Sequence, residues 1–390
     1  MIKIPVTIIR GGTSKGIYIM RKDLPEDETL MKKIILGIFG SPDVRQIDGL
    51  GGADIVTSKV AIIDKSDKEE IDVYYKFGQV GIKEPVVDFS LSCGNLVSGV
   101  GVFALLKGFK KAEEPFTMVN VYDVNIRKHV RIKVPVKDGM PYYDGDFYID
   151  GVPFPGARID VTFLNPAGSI TGKLLPTGKV RDVLSNGIEY SLVDAGVLGM
   201  FVKASDLGLT GKEGPGDIDN NIGLLNLIND MRGEVLVNIG MAPDKKTALA
   251  RYQYLPKFIV VAPPSDFISP INGKRVKKEE CSLLARVITG NKLHKAFPVT
   301  SSISLAAAFG LEGSIVNEVA VSREEGKVFI GHPSGVIDLS FKKSSDGEIE
   351  EVTIGRTARL IMEGIVYVPE SRIYGRWYDS SEDKLADVEI

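Results

Sequence analysis

Two uncharged, small-residue segments constrain the fold of this 390-residue chain more than any other feature: "SCGNLVSGVGVFALL" from Ser92 and "VTSSISLAAAFGL" from Val299. Each opens with polar residues suited to a helix N-terminus and continues as an apolar helix. A surface helix keeps a polar face, whereas one that is small and apolar all round has to be enclosed. A strongly curved sheet is such an enclosure, because slim side chains let the backbones come close. Two segments of this kind imply two similar units with a cleft between them, which is where ligand sites usually form.

The rest of the chain supplies the sheets. There are 42 glycines and 20 prolines, spread widely, as expected for many short strands joined by turns. "IPVTIIR", "SKVAIID", "EIDVYYKFGQV", "PVVDFSLS", "TMVNVYDVN" and "HVRIKVPV" read as strands in the first half. "EYSLVDA", "GMFVKA", "KFIVVAPP", "KVFIGHP" and "EEVTIGR" follow in the second. Beyond the two enclosed segments, helices are expected at "DETLMKKIILGIFG", "DNNIGLLNLINDMRGEV" and "KKEECSLLARVITG". The turn-rich "LPTGKVRDVLSNG" places a boundary near residue 185. Residues 1–185 then form an N-terminal domain, completed by residues 371–390, and residues 186–370 a C-terminal domain.

Bulk properties exclude several classes. A net charge of −3 gives no reason to expect nucleic acid or an anionic membrane as partner. The N-terminal "MIKIPVTIIR" lacks a signal-peptide core, and the apolar runs are too short to span a bilayer. Two cysteines cannot build a disulfide framework, which points to the cytoplasm. Three histidines and two cysteines show no zinc spacing, so no metal is expected.

Few residues stand out as chemical. Cys93 lies between an apolar run and the first small-residue helix, whose start is expected near Gly94. Amide groups and the dipole at a helix N-terminus stabilise a thiolate. By residue type and position alone, a buried small side chain is the commoner role. Cys281 would share a helix face with Leu284, Ala285 and Ile288, and reads as core. Lys59 enters an apolar strand after a glycine-rich stretch; it is either a partly desolvated base or a solvated edge lysine. "RGGTSKG" at Arg10 is a turn whose Thr13, Ser14 and Lys15 suit an anion, although its order is wrong for a phosphate loop. G-x-G-x-x-A at Gly99 imitates a dinucleotide fingerprint, but its glycines fall inside the helix rather than after the strand. His294 and His332 read as hydrogen-bonded loop residues.

In combination these motifs carry a resemblance. "RGGTSKGIYI" at Arg10, "GGADIVTSKVAI" at Gly51, "SCGN" at Ser92, "LNPAGSITGKLLPTG" at Leu164 and "SLVDAG" at Ser191 occur in order. "LGLTGKE" at Leu207, "PKFIVVAPP" at Pro256, "LHKAFP" at Leu293, "GHPSG" at Gly331 and "RTARLIMEGIVYVP" at Arg356 continue the series. Over nearly its whole length the chain resembles the PrpF family, which includes 2-methylaconitate isomerases, 3-methylitaconate Δ-isomerases and 4-oxalomesaconate tautomerases. The resemblance implies an α+β, diaminopimelate-epimerase-like fold. In it, two similar domains each wrap a curved, mostly antiparallel sheet around a central helix, with the active site between them. It further implies a cofactor-free isomerase that moves an allylic proton on an unsaturated di- or tricarboxylate. The family's acid–base pair falls on Lys59 and Cys93. Gly94 and Asn95 at one helix start, Thr300, Ser301 and Ser302 at the other, and the Thr13–Lys15 turn become the expected substrate contacts. A small polycarboxylate is the expected partner, and a homodimer the expected assembly if there is one.

Two departures bear on the substrate. Relatives commonly carry Asn-Pro where this chain has Val197-Leu198, and Thr-Gly-Ala where it has Ser301-Ser302-Ile303. They sustain a second reading, a non-catalytic or accessory polycarboxylate-binding protein of the same fold.

Overall fold

The computed structural model of the protein describes residues 1–344 and 349–374. In the first half, β1 (Ile2–Gly11) and β2 (Ser14–Met20) form a hairpin. β3 (Lys59–Lys65) joins β2 in parallel, and β4 (Val73–Val80) joins β3 antiparallel. β5 (Phe116–Asp123) is parallel to β4, while β6 (Lys128–Lys137) and β7 (Ile159–Leu164) follow antiparallel.

The second half repeats the series. β8 (Glu189–Ala195) and β9 (Val197–Lys203) form a hairpin, β10 (Lys257–Ala262) joins in parallel and β11 (Leu283–Thr289) antiparallel. β12 (Lys327–His332) is again parallel, and β13 (Gly335–Lys343) and β14 (Ile349–Arg356) are again antiparallel. β7 pairs with β14, Val161 opposite Ile354, so one ribbon folds about that ladder and relates the halves by a near-twofold. A last strand, β15 (Ala358–Val368), crosses back to β1, Ile4 opposite Val366.

The strands alternate faces, and each face buries a different helix. Ile9, Ala61, Ile63 and Tyr75 line the concave side of the first half; Phe201, Ile259, Val261 and Ala285 line that of the second. Both enclose the small-residue helices α2 (Val97–Leu106) and α4 (Val299–Gly310) in one continuous core. The other faces pack outer helices, α1 (Glu28–Phe39) and α3 (Ile222–Asn238). α1 starts where the Asp27 side chain accepts from the Leu30 N–H and ends at Gly40, whose φ of +70° suits glycine. The glycines of α2 are needed for contact. A Cβ on Gly99 would lie 2.3 Å from the Tyr18 hydroxyl oxygen, and one on Gly101 2.7 Å from Val134 Cγ2.

Three expectations are corrected. "KKEECSLLARVITG" is not a helix but a 3-10 turn, Lys278–Glu280, followed by β11. Leu283, Ala285 and Val287 face the inner core, and Leu284 and Ile288 the outer one. A strand buried on both faces is apolar throughout and looks like a buried helix to periodicity. "PVVDFSLS" pairs only over Val87–Asp88, and α2 begins at Val97 after a turn over 94–96, not at Gly94. At the C-terminal end, residues 358–368 pair with the first half, so the segment returning to it starts before residue 371. Of the expected completing segment, Ser371–Tyr374 is a short helix with Ile373 buried in the outer core of the first half. Residues 375–390 lie outside the described residues.

Candidate active site

The site grows out of strand register. Lys59, first residue of β3, lies opposite Gly16 on one side and Gln79 on the other. Paired residues share a face, so Lys59 joins Ala61 and Ile63 on the concave side. Its Nζ donates to Gln79 Oε1 at 2.8 Å and sits 4.9 Å from the Phe77 ring centroid. The Gln79 amide nitrogen donates to the Ile55 and Ser58 carbonyls, which turns its oxygen toward the lysine. Ser14, two residues before Gly16 and on the same face, places its Oγ 4.0 Å from Cys93 Sγ. Cys93 is 9% exposed, and its carbonyl accepts the first α2 hydrogen bond, from Val97 N at 3.1 Å.

The N-termini of the two central helices meet here. Any Cβ on Gly94 would lie 2.5 Å from Val299 Cγ1, so only glycine lets the two ends touch. Asn95 Oδ1 accepts from Thr13 N at 3.4 Å, tying the β1–β2 turn to the start of α2. Thr300 is buried in the first turn of α4. Ser301 is fully buried and its Oγ has no hydrogen-bond partner, whereas Ser302 Oγ donates to the Val299 carbonyl within its own helix. Lys15 is not gathered with the others. It lies opposite Arg10, and alternation sends its side chain to the face away from Ser14.

The near-twofold pairs positions across the halves. Gly16 packs against Leu96, and Gly199 against Ser304. Counting back three residues from each contact makes Cys93 the counterpart of Ser301. Likewise Lys59, opposite Gly16, answers to Lys257, opposite Gly199. The last residues of β5 and β12 are Asp123 and His332. Burial pushes the Asp123 carboxyl up to about 7, against hydrogen bonds from the Ser92 hydroxyl and the Ile126 and Asn125 N–H groups. His294 and His332 are held neutral by burial, at about 4 and about 3, and each Nδ1 accepts a backbone N–H. Cys281 is a buried thiol pushed up to about 12, inert as a nucleophile.

Two spaces lie near these groups, and neither is lined by Lys59, Cys93 or Lys257. One, about 30 Å³ and lined by Thr13, Phe297, His332 and Arg356, holds a water and little more. The other is an open cleft of about 890 Å³, ample for a small organic acid, between Asp88, Arg127, Lys128 and Ile170 of the first half and Arg251 and Tyr254 of the second. Sequence reasoning passed over Lys257 and Arg356 as site residues. Arg356 is buried against the Gly12 turn and its Nε has no partner. A signal for Lys257 was present: "SKVAII" and "PKFIVV" both lead a lysine into an apolar strand. Among the described residues, no three or more His, Cys, Asp and Glu side chains gather where a metal ion could sit, and no helix is long and apolar enough to cross a membrane.

A doubled ribbon closing on two buried helix N-termini is an α+β fold of the diaminopimelate-epimerase-like class. The structure superposes on that of a hydroxyproline epimerase from Agrobacterium vitis with a TM-score of 0.54, at 12% identity, covering 94% of this chain and 92% of the other. Within that class, the chain belongs to the PrpF family, whose pattern, described as PrpF protein, matches residues 1–369. It is 43% identical to 3-methylitaconate isomerase of Eubacterium barkeri, covering 95% of this chain and 98% of that protein. It is 36% identical to 2-methyl-aconitate isomerase of Shewanella oneidensis, again covering 95% and 98%. The crystal structure of methylitaconate-delta-isomerase matches with a TM-score of 0.84 at 42% identity, covering 97% and 99%. The protein is an isomerase of this family.

Proposed function

We propose that the protein moves a double bond, or inverts its geometry, in a small unsaturated di- or tricarboxylate of the methylitaconate and methylaconitate type, with Lys59 and Cys93 as the proton carriers. One observation supports this most. Register puts Lys59 on the concave face with Ser14, whose hydroxyl lies 4.0 Å from the Cys93 sulfur, where two helix N-termini converge.

The chemistry balances in protons alone. A base takes the proton from the carbon next to the double bond. That electron pair forms the new double bond, and the former π pair moves into the conjugated carboxylate as a dienolate. An acid then returns a proton at the far carbon, and no oxidant is consumed. The developing negative charge lies where the amides of both helix starts, and the hydroxyls of Ser14, Thr300 and Ser301, can face it. Gly94 and Asn95 shape the turn that presents those amides, and Thr13 closes it. We divide the chain near residue 185 into two domains, with β15 returning to the first and the substrate between them. Two free cysteines fit a cytoplasmic location.

The test is proton NMR in deuterated water with methylitaconate, methylaconitate and aconitate. Isomerisation or enzyme-dependent deuterium uptake with at least one is expected; a folded protein that shows neither refutes the reading. Cys93→Ser and Lys59→Ala should each lower kcat by about 10²–10⁴, the usual worth of a positioned acid or base. Full activity in both would remove the pair while leaving the isomerase.

A further inference from the structure

Lys257 is 8% exposed and is the first residue of β10, on the concave face with Ile259 and Val261. Its Nζ donates to Thr289 Oγ1 at 2.8 Å and lies 5.4 Å from the Tyr254 ring centroid. Among the described residues no carboxylate forms an ion pair with it. The charged and titratable groups around it are mostly of the wrong sign. Arg232, on α3, donates to the Tyr252, Gln253, Leu255 and Pro256 carbonyls directly before it. The Lys59 charge reaches it from the first half, and His294 is neutral; only Asp88, on the cleft wall, acts in its favour. Burial, then Arg232, then Lys59, lower its ammonium to about 7.

A buried cation without a counter-ion is costly, and a fold tolerates one where a ligand supplies the missing charge. Here register supplies the geometry. Gly16, Lys59 and Gln79 in one half match Gly199, Lys257 and Thr289 in the other: Lys59 donates to Gln79, directly across from it, and Lys257 donates to Thr289, next along β11 from the Phe258–Ile288 pair. Tyr254, against Lys257, lines the cleft between the halves.

We propose that Lys257 is a carboxylate-binding residue of this site, the counterpart of Lys59, gripping from the second half an anionic group of the ligand that Lys59 meets from the first. This deepens the reading that the site takes a polycarboxylate. Lys257 binds its anion as the ammonium. Ligand binding therefore raises its proton affinity, and at pH 7 the protein takes up on the order of half a proton from the buffer.

The experiment uses the full chain and propane-1,2,3-tricarboxylate, a saturated probe that cannot isomerise. Calorimetry in two buffers of different ionisation heat gives both Kd and proton uptake. In Lys257→Met the Kd should rise at least ~10-fold, the uptake should vanish, and KM for methylitaconate should rise more than kcat falls. Because an unpaired buried charge is replaced by an apolar chain of similar length, Tm should rise rather than fall. Lys257→Arg should recover part of the affinity, and Lys257→Gln serves if the methionine variant misfolds. Unchanged Kd and uptake in a folded Lys257→Met protein overturn the proposal, as does a wild type that binds no probe. If the wild type binds the probe through Lys257 yet isomerises no unsaturated polycarboxylate, the assignment stands and the proposed reaction falls. If it isomerises methylitaconate with a KM indifferent to Lys257→Met, the assignment falls and the reaction stands.

Discussion

Gln79 shows its amide oxygen to the Lys59 ammonium because its NH2 group is committed to the Ile55 and Ser58 carbonyls. A neutral acceptor holds the lysine in place without the opposite charge that a carboxylate there would add. Gln79→Glu should therefore tie the lysine into an ion pair and lower kcat/KM at pH 7 by about 10-fold or more; steady-state kinetics check this. A kcat/KM identical to wild type would deny Lys59 the role of base. Much of this scale is legible in the sequence. A lysine entering an apolar strand and a cysteine before a small-residue helix are local patterns, and both reach the concave face. Lys15 and Ser302 were read from the same kind of pattern and differ for reasons that sequence does not carry. One is turned to the other face by a two-residue period; the other spends its hydroxyl on its own helix.

At the scale of elements, two contacts around the start of α2 govern the site. Gly94 meets Val299, so Gly94→Ala should cost about 1–3 kcal/mol of stability and separate the two helix ends. Val299→Ala should relieve part of that, giving a coupling of at least ~1 kcal/mol in a double-mutant cycle by chemical denaturation. The second contact is the bond from Ser92 to Asp123, which fixes the residue before Cys93. A carboxyl raised to about 7 holds its proton in the folded state after the unfolded chain has released it. Folded protein thus binds more protons between about pH 4 and 7, and this group's contribution falls as pH rises through that window. Relative to Asp123→Asn, the wild type should lose up to about 4 kcal/mol from pH 4 to pH 8, read from paired denaturation series. A constant difference would place Asp123 in an ordinary environment. Element type was readable where one face is polar, as in α1, and ambiguous where both faces are buried, as in β11. There "SLLARVIT" lacks the alternation that separates strand from helix.

The whole molecule is held by ladders that no local pattern announces. β1 has β2 on one side and β15 on the other, so a fragment of residues 1–185 exposes that edge and leaves β7 without β14. Produced alone it should aggregate or remain molten, and mixing with residues 186–390 should restore a folded complex, by circular dichroism and size-exclusion chromatography. A monomeric, cooperatively folding 1–185 fragment would contradict this. The two enclosed helices made the doubling legible from sequence. The crossing of β15 and the match of Lys257 to Lys59 depend on strand pairing over hundreds of residues, and only the fold displays them. That doubling is imperfect in a telling way: the position that is a thiol in one half is an alcohol in the other, and an aspartate at one strand end faces a histidine at its twin. An almost symmetric guest is therefore read as having a head and a tail. A solvent deuteron arriving from the sulfur side is written onto one face of the carbon only, so the product would leave the enzyme labelled in a single stereochemical sense.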